Sequence, residues 1–302
     1  MFLIVLSNIS LIFCIIKAKL TTENPLNFYV ISIALSSTEV ALIALPLELI
    51  SIVRLSRDWL CRLGAFSLQL ATGSNALSQV AASWYQWKDV AKKSARPLTP
   101  TQHKTRITIL WFASLLYAVK AVFCSGLVND DINIGLISNN QTTIANPSCG
   151  YTSNAATTQV IQLLDLLLLS AIPCKVVSYL SVVILCAAQH SRASTIMMWS
   201  LLVTYVSLTS PLAILDILIV FNLVDNVDRL HRIFTVISFS YEWLSVLIFV
   251  IFDGQIRHAL CKICGSPSGR ADGRDSCSTL VTELQARDKC CQTIAAPALD
   301  AE

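Results

Sequence analysis

Charged residues are scarce in this chain. Asp, Glu, Lys and Arg make up 14% of its 302 residues, whereas hydrophobic residues make up 54%. A soluble domain carries about a quarter charged residues, so this composition excludes an ordinary soluble protein. The alternation of apolar and polar residues that lines an outer-membrane barrel is also lacking, which excludes that second class of membrane protein.

The motifs of the common enzyme classes are lacking as well. The chain contains no phosphate-binding glycine loop, no His-Glu-x-x-His and no Gly-x-Ser-x-Gly. Internal repeats of the transporter kind are not evident. The four histidines all fall near predicted loops or helix ends: His103, His190, His231 and His258. We therefore predict that the protein is not an enzyme and uses no cofactor.

Long apolar runs are what the chain has. A helix needs about 20 apolar residues to cross a bilayer core, and a spanning segment must satisfy its own backbone hydrogen bonds. We predict an all-α membrane protein, a bundle of seven transmembrane helices in residues 1–264. The predicted spans are Phe2–Lys17, Asn27–Val53, Cys61–Trp87, Ile107–Leu127, Thr157–Ala188, Ser194–Phe221 and Leu230–Phe252.

A short amphipathic helix is predicted directly after the last span. Residues 253–264 place Ile256, Leu260 and Ile263 on one helical face. A helix with one apolar and one basic face lies in the membrane interface. We therefore expect this juxtamembrane helix on the inner leaflet.

Two cysteines in that helix, Cys261 and Cys264, are candidate palmitoylation sites. Their Cys-x-x-Cys spacing also suits zinc, but no second matching pair follows, so we expect no metal there. Residues 265–302 are rich in Ser, Gly, Arg and Asp, which predicts a disordered cytoplasmic tail.

Basic residues concentrate in the segments on one side of the bundle. The loop after span three is the clearest case, with Lys88, Lys92, Lys93, Arg96, Lys104 and Arg106 against Asp89. The positive-inside rule puts this side in the cytoplasm. We therefore predict a multi-pass plasma-membrane protein with an extracellular N-terminus and a cytoplasmic C-terminus. Met1 directly precedes the first span, which fits either a chain without an N-terminal tail or a gene model that is cut short.

The loop after span four falls on the opposite, extracellular side. It contains the acceptor sequence Asn140-Gln141-Thr142, so Asn140 is a candidate glycosylation site.

Several residues occur in an order and at spacings that match one family. An asparagine lies in span one, a proline ends the pattern "IALSSTEVALIALP", and a Trp-x-Cys pair opens span three. A tryptophan follows in span four, and prolines follow in spans five and six. These residues are Asn8, Pro46, Trp59, Cys61, Trp111, Pro173 and Pro211. Between about Asn8 and Cys264 the chain thus resembles the rhodopsin-like (class A) G protein-coupled receptors.

The resemblance implies a receptor that passes the signal of an extracellular ligand to a heterotrimeric G protein, with arrestin as a second candidate partner. The ligand is unknown, the lipid bilayer is the surrounding partner, and nothing indicates nucleic acid. The resemblance also implies a disulfide between Cys61 and Cys149 on the oxidising face. Cys124 is an alternative partner near the same face.

The family's switch motifs are replaced in this chain. With Cys61 as the anchor, the Asp-Arg-Tyr motif that ends span three falls on Tyr85, Gln86 and Trp87, and Lys88 follows. Lysine lacks the planar fork of arginine and replaces it only in part. We predict Tyr85, Gln86, Trp87 and Lys88 as the G protein-facing switch position of an atypical, orphan-like receptor.

Two carboxylates lie inside predicted spans. Charged groups are costly in lipid, so we predict that Glu39 and Glu242 face the interior of the bundle and have a functional role. On the family's register the span-two aspartate falls on Ser37, and Glu242 lies one turn before the span-seven position Ser245. We predict a polar cluster of Ser37, Asn75, Glu242 and Ser245 that holds sodium or a protonated carboxyl. The alternative is a neutral glutamate hydrogen bonded to nearby hydroxyls.

Other charged residues lie near the outer ends of the spans. A few polar groups in an apolar cavity can anchor a ligand, so Asp165, Asp216, Glu48 and Arg232 are ligand-binding candidates. We interpret Lys120 as a residue that snorkels to water.

Two other functions remain open. A heptahelical protein without the span-three arginine could be constitutively active, a partner of another receptor, or silent. A small membrane transporter or channel would instead use Glu39 and Glu242 on a conduction path.

Overall fold

The structure is a computed structural model of the chain. It describes residues 1–52, 57–91, 99–129, 147–151, 155–187, 192–221, 223 and 228–264. Helices α1 to α6 are Phe2–Lys17, Leu20–Glu23, Leu26–Glu39, Leu45–Ile52, Asp58–Ala91 and Pro100–Cys124, and helices α7 to α12 are Ala155–Asp165, Ile172–Ala187, Arg192–Val220, Asp228–Phe239, Tyr241–Phe252 and Gly254–Cys264. Two strands, β1 (Ser125–Asn129) and β2 (Pro147–Tyr151), form an antiparallel hairpin.

Four helical stretches are long and apolar enough to cross a membrane: Leu26–Leu47, Pro100–Cys124, Ile196–Leu215 and Ile233–Phe252. This finding covers only the described part of the chain. It agrees with an all-α membrane protein. Helix α1 is apolar but shorter than these four, and each of the other predicted spans also lies on helix.

Two wide π-helical turns, Val40–Ala44 and Leu166–Ala171, interrupt predicted spans. Each one precedes a proline by two residues, Pro46 in the first case and Pro173 in the second. A proline inside a helix removes one N–H donor and its ring pushes against the carbonyl four residues earlier. The wider turn gives that carbonyl room, so the helix continues through the proline.

The helix that corresponds to the predicted fourth span, Ile107–Leu127, has other ends than that span. Helix α6 begins at Pro100, where Thr99 and Gln102 form a capping box and the proline occupies the first helical position. It ends at Cys124 because the chain continues directly into strand β1.

The predicted seventh span, Leu230–Phe252, is divided between α10 and α11 at Ser240. The Ser240 hydroxyl donates back to the Val236 carbonyl at 3.3 Å, and Ser238 donates to the Thr235 carbonyl at 2.8 Å. Hydroxyl side chains that compete for helix carbonyls bend helices, which accounts for the break.

Helix α5 lies at the centre of the bundle, packed against α3, α6 and α8. Its buried residues include many polar ones: Ser67, Gln69, Ser74, Asn75, Ser78, Gln79, Ser83 and Gln86. Ser78 shares a 2.8 Å hydrogen bond with Ser32 of α3, and Trp111 of α6 donates from Nε1 to Ser32 at 2.9 Å. These two bonds tie α3, α5 and α6 together.

The predicted amphipathic helix corresponds to α12. Asp253 caps its start by accepting from the backbone N–H groups of Gln255 and Ile256, at 2.9 and 3.1 Å. Burial raises the pKa of Asp253, and these two hydrogen bonds partly offset that effect. Ile256 is fully buried, and α12 packs against α1 and α11. The apolar face of α12 therefore rests partly on protein.

Candidate functional site

A cluster of buried polar side chains joins α5 to α11. Gln79 donates from Nε2 to Asn75 Oδ1 at 2.9 Å and to the Tyr241 hydroxyl oxygen at 2.8 Å. The ring of Tyr241 meets Tyr205 of α9 edge-on, with centroids 5.2 Å apart. We call Asn8, Ser37, Asn75, Gln79, Tyr241, Glu242 and Ser245 the central polar cluster.

Glu242 connects the cluster to α1 and α3. Its backbone carbonyl accepts from Asn8 Nδ2 at 3.0 Å and from the Ser245 hydroxyl at 3.3 Å. The Ser37 hydroxyl faces its carboxyl group. The structure thus brings together the residues predicted as one cluster, with Asn75 joined through Gln79 and Tyr241.

Some oxygens in and beside the cluster are buried, and no donor among the described residues satisfies them. They are Asn8 Oδ1, Ser37 Oγ, Ser74 Oγ and Glu242 Oε2. A buried oxygen without a hydrogen bond costs about 1–3 kcal/mol. Water, a proton on the carboxyl or a small cation such as sodium would remove that cost. Three or more His, Cys, Asp and Glu residues do not gather into a metal site anywhere in the described chain.

The second intramembrane carboxylate has a separate partner. Glu39 of α3 accepts from the Ser67 hydroxyl of α5 at 3.3 Å. This contact lies next to the wide turn that begins at Val40.

The four residues of the predicted switch position have different surroundings. Gln86 is buried, at 7% exposure. Trp87 is half-buried and packs on Trp84 with ring centroids 4.8 Å apart, and the Lys88 ammonium lies over the Trp84 ring at 5.8 Å from its centroid. A neutral amide therefore faces the protein interior where the resembling family has an arginine.

Tyr85, the first of those four, packs on a histidine that sequence reasoning had not singled out. His103 lies in the first turn of α6 and is fully buried. Its ring meets Tyr85 edge-on at 4.9 Å and Tyr29 edge-on at 5.8 Å, and stacks on Phe28 at 6.0 Å between centroids. His103 Nδ1 is 3.3 Å from the Tyr29 hydroxyl oxygen. Phe28, Tyr29, Tyr85 and His103 form what we call the aromatic cage.

The candidate ligand residue Asp165 already has protein partners. Its carboxylate forms an ion pair with Lys120 and accepts from the Tyr117 hydroxyl, and Gln69 Nε2 donates to it at 3.1 Å. The Lys120 ammonium also lies over the Tyr117 ring, 3.7 Å from its centroid. The interpretation of Lys120 as a snorkelling residue is therefore wrong, because it binds Asp165 across α6 and α7.

The other three ligand candidates lie on helices, but their side chains fall outside the described residues. Glu48 is on α4, Asp216 on α9 and Arg232 on α10. The glycosylation candidate Asn140 is also outside the described residues.

Cys61 is disulfide-bonded. The predicted partner, Cys149, lies in β2 opposite Leu127 of β1, and β2 contacts α5. The side chain of Cys149 is not among those described, so this pairing stays a prediction. Cys124, the alternative partner, carries a thiol, which removes the alternative.

The palmitoylation candidates lie at the end of α12. Cys261 is disulfide-bonded in the structure, and a disulfide sulfur cannot carry a thioester. Acylation of Cys261 therefore requires reduction of that bond first. The side chain of Cys264 falls outside the described residues.

No protein-family model matches the chain, and no characterised protein matches it significantly in sequence.

Proposed function

We propose that the protein is an atypical receptor of the rhodopsin-like, G protein-coupled kind. The observation that supports this function best is the central polar cluster around Glu242. The resemblance predicts that Ser37, Asn75, Glu242 and Ser245, which are up to 208 positions apart in sequence, share one buried site. The contacts that link them directly or through Gln79 and Tyr241 are the support for this proposal. A polar centre of this kind couples helices, because moving one helix exposes the hydrogen bonds of the others.

In this proposal an extracellular ligand shifts the bundle between two arrangements, and a heterotrimeric G protein binds the end where α5 finishes. A ligand changes such an equilibrium only by binding one arrangement more tightly. The plasma membrane is the expected location, with the N-terminus outside.

The test measures G protein dissociation in cells that express the protein without added ligand, across a panel of G proteins. It compares the natural protein with Gln86→Arg, which restores the charge of the family's switch. Gln255→Arg is the matched control, because it adds the same charge to an exposed side chain of α12. Surface delivery is measured in parallel for all three proteins.

Basal dissociation in the natural protein supports a working variant of the switch. Activity only in Gln86→Arg supports a receptor that has lost its switch. Silence of both across the panel counts against G protein coupling. Uptake and current measurements on Glu242→Gln then become the next experiment.

A second candidate function is favoured by one observation, the buried neutral amide of Gln86. A heptahelical protein that pairs with another receptor without activating G proteins has no need of a charge at that position. Activity that appears only on co-expression with a second receptor would favour this function.

A further inference from the structure

We propose that the aromatic cage is a latch that holds the last turns of α5 against α3 and α6. This inference deepens the proposed function, because the latch acts on the helix end that carries the switch position. In that role it replaces the absent span-three arginine. His103 is a positioning residue in this proposal.

The base of the latch is rigid. His103 belongs to the first turn of α6, and its backbone N–H donates to the Thr99 carbonyl at 3.2 Å. Thr99 and Gln102 exchange hydrogen bonds in the capping box that begins the helix. A capped helix start resists fraying, so the His103 ring is held at a fixed place.

The Tyr29 hydroxyl ties α3 to the histidine of the latch. Its oxygen lies 3.3 Å from His103 Nδ1, and the tautomer of the histidine decides which of the two groups donates.

The Nε2 atom of His103 is buried, and it has no hydrogen-bond partner among the described residues. Such an unsatisfied group lowers stability, and its presence in a folded protein calls for an explanation. Phenylalanine would avoid the cost at Nε2, but it would lose the hydrogen bond to Tyr29 that holds the latch closed. A histidine held there at a loss of stability fits a contact that must be able to break.

The latch engages α5 through Tyr85. The buried Gln86 follows it directly, so the two side chains are about 100° apart around the helix. A rotation of α5 about its axis that is large enough to bring position 86 to the surface of the bundle separates the Tyr85 ring from the His103 ring. The latch and an exposed switch position are therefore mutually exclusive.

The experiment measures hydrogen–deuterium exchange of the full-length protein purified in detergent, peptide by peptide. His103→Phe keeps a ring in the cage but removes the bond to Tyr29. Tyr29→Phe removes the same hydrogen bond from the other side. It is the second test of the latch, for use if His103→Phe does not fold. Thr105→Val is the matched control on the exposed side of α6, where the Thr105 hydroxyl donates to the Thr101 carbonyl of its own helix at 3.0 Å.

We expect about tenfold faster exchange in the peptide that covers residues 85–91, with the rest of the bundle unchanged. The control should match the natural protein. Unchanged exchange in both cage variants, or acceleration spread evenly over all helices, overturns the latch.

The same variants are then measured for basal G protein dissociation. A change in basal dissociation together with local exchange supports the latch as a restraint on signalling. Local acceleration without a change in basal dissociation supports the latch and refutes its role as a restraint on signalling. The proposed function is decided separately, by the comparison of the natural protein with Gln86→Arg, so the two failures can be told apart.

Discussion

Replacing Lys120 with methionine is expected to leave a negative charge without its counterion inside the bundle. Lys120 and Asp165 form an ion pair in which their side chains are 24% and 18% exposed. Tyr117 and Gln69 would still donate to the carboxylate, but neither carries a charge. Methionine has nearly the same length as lysine, so packing along α6 should change little.

The size of the effect follows from the burial. Removing one partner of a fully buried ion pair costs about 3–5 kcal/mol. The two side chains are 24% and 18% exposed, so the pair is not fully buried, and we expect a loss of about 2–3 kcal/mol. Asp165→Asn leaves a lysine that can bend towards water, and its cost should be about 1–2 kcal/mol.

The double variant Lys120→Met/Asp165→Asn removes both charges. No charge is then stranded, so its cost should be about 0–1 kcal/mol, well below the sum of the single variants. The assay is the free energy of unfolding in detergent micelles, obtained by denaturant titration. Asp58→Asn is the control, because it breaks the more exposed Arg62–Asp58 pair and should cost less than about 1 kcal/mol.

A double variant that costs the full sum of the two single losses would refute the pairing. The same result would return Asp165 to the residues available for an extracellular ligand. Strong coupling would show that Asp165 is already occupied by Lys120, and that a ligand must compete with the lysine to reach it.

Three other predictions follow from described contacts. Gln79→Leu leaves Asn75 and Tyr241 without their shared donor, and should lower the free energy of unfolding in micelles by about 1–3 kcal/mol. If the central polar cluster holds sodium, sodium should raise the thermal midpoint of the natural protein and have no effect on Glu242→Gln; an equal rise in both contradicts the sodium site. Burial raises the pKa of Asp253, so the folded state keeps this proton to higher pH than the unfolded state does. The contribution of Asp253 to stability should therefore be greatest below about pH 4 and decline as the pH rises, and Asp253→Asn should remove that part of the pH dependence.

Helix positions were largely readable from the sequence because apolar length is a local property. The predicted first span, Phe2–Lys17, has the same ends as helix α1. The start of α6 was missed although its signal is present, since Thr99, Pro100 and Gln102 form a capping box with proline at the first position. Weighing that local signal above the charge of Lys104 would have placed the start correctly.

The central polar cluster was partly readable for a different reason. Family register put Ser37, Glu242 and Ser245 together, but it gave no place to Gln79, which makes two of the cluster's closest hydrogen bonds. Gln79 is four residues from Asn75 and therefore on the same face of α5. That spacing alone was enough to find it.

The pairing of Lys120 with Asp165 and of His103 with Tyr85 could not be read from the sequence. Both contacts join different helices, and they depend on how far each helix is rotated about its own axis. Residue type and spacing show which residues share one face of a helix, but they do not show which neighbouring helix that face packs against.

The polar character of α5 also bears on how the chain enters a membrane during synthesis. This 34-residue helix is not among the four stretches apolar enough to span alone, and its polar side chains Ser67, Gln69, Ser78 and Gln79 bond to residues of other helices. The helices that cover it include its neighbours in the chain, α3 before it and α6 after it. If the insertion machinery released α5 alone into the lipid, this polar helix would return to the aqueous phase. We therefore expect α3 to remain beside the insertion machinery until α5 has been made and can pack against it. Substitutions at Ser32 of α3, which bonds to Ser78 of α5 and Trp111 of α6, should then show first as failed biogenesis and only afterwards as lost activity.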